Sequence, residues 1–282
     1  MEDSAIGPVL VLGATSLIGR FLLPRLVAQG AEVFAISRAP RAPTPGVQWI
    51  EADLTAPNWV AKSPSAATVF ALMPIWLLPP ALPALAGEDA RRLIAFSSTS
   101  VFTKAASPDP SEREVARRLA DAEEAVAASG LAWTILRPTM IYAEGLDANV
   151  SRLARLISRW RVLPLSGRGA GLRQPVHADD LASGALAAAA SDAAVGKSYD
   201  LPGGETLSYR EMVRRLFKAH GLPPRILTVP PPLWRLALTL AAPLLPGATG
   251  AMGDRMAEDL TFDPVPAARD FGWAPRRFHP QF

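Results

Sequence analysis

Short unbroken apolar runs alternate along this chain with stretches in which apolar residues recur at helical spacing. Residues 8–12 form the first run. Gly13 follows at once, and Leu17, Ile18, Phe21, Leu22 and Leu26 then keep a helical period. The pattern predicts strand, tight turn and helix. Further strands are predicted over 31–37, 47–51, 68–73, 92–96 and 131–136. A helix is predicted over 111–129. Its residues Val115, Leu119, Ala122 and Val126 make one apolar stripe, with Glu112, Arg113, Arg117, Asp121 and Glu124 opposite. Ser111-Glu112-Arg113-Glu114 reads as its capping box. Another helix is expected to run through 191, capped by Asp179 or Asp180, with His177 structural. Past residue 200 the pattern changes to a turn at 201–204, an amphipathic helix over 208–219 and a proline-rich stretch around a short strand at 225–229.

Composition narrows the function classes. A chain of 282 residues, 49% hydrophobic, fits one large α/β domain or a domain with a small cap. The absence of Cys excludes disulfides, thiol catalysis and Cys-ligated metals. Histidine occurs only at 177, 220 and 279, without metal-ligand spacing, so no metal is expected. The net charge of +3 comes mostly from scattered Arg, with no dense basic tract, so nucleic acid is not expected. The apolar stretch 69–86 is broken by Pro74, Pro79, Pro80 and Pro83. The stretch 236–245 is too short to span ~30 Å of hydrocarbon, so no stable membrane insertion is expected. A surface-bound helix near Trp234 stays open as an alternative. The acidic start (Glu2, Asp3) runs straight into the first strand, so no signal peptide is expected. A cytoplasmic monomer or homodimer acting on a small molecule is the expectation.

The chemistry-bearing stretch begins at the first turn. Gly13 and Gly19 are six apart, with Ser16 between them. Gly13 allows the sharp turn, and Gly19 lets the helix pack close to the strand. The new helix aims unpaired N–H groups and its positive dipole end at an anion. Gly13, Thr15, Ser16, Leu17, Ile18 and Gly19 are therefore expected to hold a pyrophosphate. The spacing is not G-x-G-x-x-G. It resembles the G-x-x-G-x-x-G of short-chain dehydrogenases/reductases, with Ser in place of the middle Gly.

At the end of the second strand stand Ser37 and Arg38, with Arg41 close behind. A hydroxyl and a guanidinium suit a 2′-phosphate, so NADP is expected, with NAD as the alternative. A solvated surface Arg is the plainer reading. After the third strand, Asp53 and Leu54 match the family residues that bind the adenine amino group and pack on the ring. An Asx turn would explain Asp53 equally. Met73, at the end of the fourth strand, joins the expected cofactor contacts. Trp76, in the apolar loop that follows, reads either as a pocket wall or as core cover.

Ser97-Ser98-Thr99-Ser100-Val101-Phe102 resembles the strand end of the extended, epimerase/dehydratase branch of that family. By this resemblance Ser98 matches the catalytic Ser, and Phe102 stands where Tyr is frequent. Arg137-Pro138-Thr139-Met140-Ile141-Tyr142 resembles the loop whose backbone meets the nicotinamide, which places Pro138 and Thr139 at the cofactor. Residues 174–182 resemble a later landmark, and the end of the chain resembles the small substrate lobe. The resemblance implies an α/β fold: a doubly wound parallel Rossmann sheet with a small C-terminal substrate lobe. The NAD(P)-binding domain would cover 1–200 and the lobe 201–282.

One feature of that family is missing. Four residues after Tyr142, Tyr199 and Tyr209 stand Leu146, Gly203 and Val213, so no Tyr-x-x-x-Lys exists. Counting back from Ser129-Gly130 puts the family's usual Glu at Glu123 and the dyad positions at Val115 and Leu119; a one-residue slip gives Glu114 and Arg118. Met140 stands near the position where sugar-nucleotide enzymes carry Asn, and it cannot donate to a sugar hydroxyl. The expectation is an atypical NADP-dependent oxidoreductase acting on a small, fairly apolar carbonyl or enone. Ser98 would orient the carbonyl, with the proton from Lys104, Tyr142 or water. The alternative is a catalytically inactive NAD(P)-binding redox sensor or assembly subunit.

Overall fold

The computed structural model describes residues 7–56, 59–60, 63–87, 90–234, 236, 253 and 255–282. Most of the apolar stretch at 236–245, and the first six residues with Glu2 and Asp3, lie outside them. Among the described residues, no helix is long and apolar enough to cross a membrane.

The first half alternates strand and helix: β1 (Val9–Leu12), α1 (Gly19–Ala28), β2 (Val33–Ser37), β3 (Val47–Glu51), β4 (Thr68–Ala71), α2 (Leu82–Gly87) and β5 (Arg92–Phe96). A short α3 (Ser100–Thr103) precedes the long α4 (Pro110–Ala127), then β6 (Ala132–Pro138) and β7 (Ile141–Tyr142). Next come α5 (Val150–Trp160), β8 (Leu163–Ser166), β9 (Leu172–Arg173), β10 (Val176–His177), α6 (Ala178–Ala189) and β11 (Lys197–Leu201). The chain closes with β12 (Leu207–Ser208), α7 (Tyr209–Ala219), β13 (Ile226–Val229) and α8 (Val265–Phe271).

A seven-stranded sheet has the order β11-β6-β5-β4-β1-β2-β3. Every neighbouring pair in it is parallel. Strands β1, β2, β4 and β5 are buried along their whole length, which is why they read as unbroken apolar runs. Alternate residues of β1 serve opposite faces. Val9 and Val11 pack with Leu22 and Leu26 of α1 and Leu181 of α6. Leu10 and Leu12 pack with Leu82 of α2 and Leu119 and Val126 of α4. Helices on both faces make this a doubly wound Rossmann-like α/β fold. The strand order reverses between β1 and β4, so the crevice at their carboxyl ends is the topological switch point.

A third cluster lies apart from the sheet. It joins Tyr142, Val150, Ile157 and Leu165 to Leu207, Met212, Phe217 and Phe278. Ala267 and Trp273 return to the cluster around α1 and α6. Packing therefore crosses position 200 in both directions.

Three local expectations are corrected. Strand β4 stops at Ala71 because Pro74, which has no N–H, opens a 3-10 turn at Ile75–Leu77. Helix α4 is capped by Asp109, whose carboxylate accepts from the Ser111 N–H, with Pro110 at the first helical position; no capping box starts at Ser111. Helix α6 is capped by His177, whose Nδ1 accepts from the Asp179 N–H. Asp179 instead binds the guanidinium groups of Arg25 and Arg276, and Asp180 that of Arg276. Charge-assisted pairs of this kind outcompete a local backbone cap.

Candidate functional site

The turn after β1 sits at the switch point. Gly13 has φ +71°, and a Cβ there would lie 2.6 Å from the Met73 backbone nitrogen. Only glycine lets the ends of β1 and β4 come this close. A Cβ on Gly19 would lie 2.1 Å from the Ala14 carbonyl oxygen, so its glycine serves the turn rather than the strand. Ser16 ties the turn together: its N–H donates to Gly13 O, and its hydroxyl accepts from the Gly19 N–H at 3.2 Å. The N–H groups of Thr15, Leu17 and Ile18 have no acceptor among the described residues. They stand at the start of α1, where donors and helix dipole suit a pyrophosphate. The turn therefore fits a dinucleotide.

At the end of β2, the buried Ser37 hydroxyl donates to Ala39 O at 2.8 Å. It is used inside its own turn, whereas Arg38 is exposed. The Arg41 guanidinium lies over the Trp49 ring, 5.7 Å from its centroid. The Ala52 N–H donates to Ser37 O, which brings Asp53 beside Arg38. The Asp53 carboxylate accepts from the Thr55 N–H and hydroxyl, an Asx turn. Those hydrogen bonds, with the nearby Arg38 charge, hold its carboxyl below the usual carboxylate range. Leu54 is half-buried against the α4-side cluster, and Met73 is buried in it. Trp76 belongs to the same cluster, with the Arg118 guanidinium 4.5 Å from its ring centroid. It covers core.

A cavity of about 430 Å³ opens at the carboxyl ends of β5 and β6. Its wall brings together Ser98, Lys104, Thr139, Arg173, Arg255 and Phe262. The Ser98 hydroxyl accepts from the Ser100 N–H at 3.1 Å, where α3 begins. The Lys104 Nζ lies 3.7 Å from Glu112, which also binds Arg255 and the Ser107 hydroxyl. The Thr139 hydroxyl donates to Gln174 O, and the buried Pro138 O accepts from the Thr99 hydroxyl. Tyr142 is not on this wall. It is 1% exposed, with the His177 and Phe278 rings each 5.0 Å away. Burial pushes its phenol far above the ordinary value. The expected role of Tyr142 as a proton source is thus corrected to that of a packed core aromatic.

A partly buried charge network joins Glu123, Arg137 and Asp200. Glu123, at the expected position on α4, accepts from the Ser97 hydroxyl at 2.5 Å and pairs with Arg137. Arg137 also reaches Asp200 at 3.7 Å and lies under the Phe102 ring. Burial raises the Asp200 carboxyl, more than Arg137 lowers it. Val115 and Leu119 pack in the α4-side cluster. Arg173 and Arg255 were not singled out from the sequence. They arrive from segments far from Ser98 in the chain, and neither sits in a periodic pattern.

A family model described as NAD(P)H-binding matches residues 13–156. The chain is 29% identical over 197 residues to an uncharacterized protein of Sinorhizobium fredii, covering 66% of this chain and 49% of that protein. It is 28% identical over 318 residues to a 2-alkyl-3-oxoalkanoate reductase of Stenotrophomonas maltophilia, covering 95% and 94%. It thus spans about half the length of the first relative and nearly all of the second. Among solved structures, that of MoeE5 in complex with UDP-glucose and NAD superposes with a TM-score of 0.73 at 23% identity, covering 96% of this chain and 94% of that one.

Proposed function

This chain belongs to the NAD(P)H-binding family, and from that premise we propose that it is an NADP-dependent oxidoreductase working without a Tyr-Lys dyad. Its substrate is a small, largely apolar carbonyl compound or enone. The observation that carries this reading is the meeting of Ser98 and Lys104 on one cavity at the carboxyl ends of β5 and β6. The reductase activity named for the Stenotrophomonas relative agrees with it.

A bound nicotinamide dinucleotide supplies or takes up hydride. The chain's own residues do the rest. The Thr15, Leu17 and Ile18 N–H groups hold the pyrophosphate within the Gly13–Gly19 turn, Arg38 holds the 2′-phosphate, and Asp53 and Leu54 hold the adenine. Met73, Pro138 and Thr139 border the nicotinamide end. Ser98 orients and polarises the substrate carbonyl through its hydroxyl. In the reducing direction the carbonyl carbon gains hydride and the oxygen gains a proton. Lys104 Nζ, on the same wall, delivers that proton, and Glu112 positions the amine.

A second reading is a dinucleotide sensor or assembly subunit without turnover. It draws on the apolar packing of Val115 and Leu119, which leaves no phenol or amine at the dyad positions. One experiment separates the two. A thermal-shift screen with NADPH, NADH, NADP and NAD should show stabilisation of roughly 2.7 kcal/mol at a hundredfold excess over Kd, lost in Gly13→Val. NADPH oxidation with ketones and enones should follow. Binding without any turnover would favour the sensor, and no binding would overturn both readings.

A further inference from the structure

The cavity at Ser98 is not electrically neutral. Lys104, Arg173 and Arg255 line it, and among the described residues no Asp or Glu does. Glu112 stands behind the wall, 3.7 Å from Lys104 and 2.5 Å from Arg255. Arg173 is held differently. It is 4% exposed, and its guanidinium donates to the backbone oxygens of Leu172, Glu258 and Arg255. The Tyr209 ring lies 5.6 Å away. Carbonyls and a neutral ring satisfy hydrogen bonds without cancelling charge. Among the described residues no carboxylate lies within 4.0 Å of the Arg173 guanidinium. The Glu258 and Asp259 fields reach it, but both residues are exposed, where solvent screens them. Three of the five guanidinium N–H groups are used in those bonds, and among the described residues the other two have no acceptor. A partly desolvated cation in such a place attracts an anion more strongly than a surface Arg would. The same lining also holds Met140, Leu260 and Phe262, which are apolar.

We infer that the cavity takes an oxo acid: a carboxylate against Arg173, Arg255 and Lys104, an apolar chain on Met140, Leu260 and Phe262, and the carbonyl at Ser98. The inference rests on the reductase reading for the carbonyl alone; the anion specificity is tested by binding. A phosphate would meet the same cations, so it forms one arm of the test. The protein loaded with NADP is titrated calorimetrically with 3-hydroxyhexanoate, with its primary amide and with 3-hydroxyhexyl phosphate. The acid should bind at least about tenfold more tightly than the amide, the size expected of one charge-assisted contact. Arg255→Gln should erase most of that difference while leaving NADP affinity and amide binding unchanged, and Arg173→Lys, which keeps the charge but loses the planar fork, should reduce it. Arg173 tethers the 255–258 segment, so Arg255→Gln keeps the test open if Arg173→Lys does not fold. Equal affinity for acid and amide, or binding of none of the three probes, would overturn the inference. Preference for the phosphate over the acid would overturn the carboxylate. Tight acid binding with no oxidation of NADPH by 3-oxohexanoate would leave the anion site standing and sink the reductase reading instead.

Discussion

Arg38 stands exposed at the carboxyl end of β2, beside Asp53 and with its neighbour Ser37 turned inward. The Ser37 hydroxyl is already bonded to Ala39 O, so the guanidinium carries the proposed 2′-phosphate contact. Arg38→Ala should weaken NADPH binding by about tenfold or more, the loss of one charge-assisted contact, and leave NADH nearly unchanged. Fluorescence titration of both nucleotides measures this, and equal loss of both would show that Arg38 does not read the phosphate. Single residues were unevenly legible in the sequence. Gly13 was legible because a positive φ and a close backbone contact admit little else. Tyr142 was not, because a phenol two residues past Met140 can face a cavity or a core, and only packing against His177 and Phe278 decides.

Helices were read well along their length and less well at their ends. The α4 stripe packs as the period of Leu119, Ala122 and Val126 requires. Its cap fell two residues upstream, and α6 took a His cap. A cap depends on where one side chain points, and Asp179 is drawn away by Arg25 and Arg276. Helix α7 is the clean case: the Ser208 hydroxyl accepts from the Glu211 N–H at 3.1 Å. Ser208→Ala should cost about 1 kcal/mol and Ser208→Asp should cost much less. Urea unfolding at constant m reads both, and identical midpoints for the two variants would show that the cap does not matter.

At the scale of the whole molecule, Asp270 ties the end of the chain to the sheet edge. Its carboxylate, 6% exposed, accepts from Arg269 on α8, Tyr199 on β11 and Lys197 on β11. Those bonds hold it far below the usual carboxylate range. A depressed folded value means the stabilisation is complete above the unfolded value of about 3.9 and fades as pH falls below it. Asp270→Asn should therefore lower Tm at pH 7, and the gap to the parent should narrow below about pH 4. A gap unchanged at pH 3 would assign the effect to packing. Arg92 fastens the same edge from inside: it opens β5, yet its guanidinium donates to Ala132 O, Thr134 Oγ1, Ala188 O and Ala189 O. By itself, the sequence determined the succession of strands and helices, the buried parallel sheet and the glycine turn at its switch point. Hydrophobic period, propensity and backbone freedom are local properties, so a linear pattern carries them. Only the tertiary structure decided that Ser98, Lys104, Arg173, Arg255 and Phe262 share one wall. The charge of that wall depends on which carboxylate each cation meets and how much water reaches it, and both are set by distances between segments far apart in the chain.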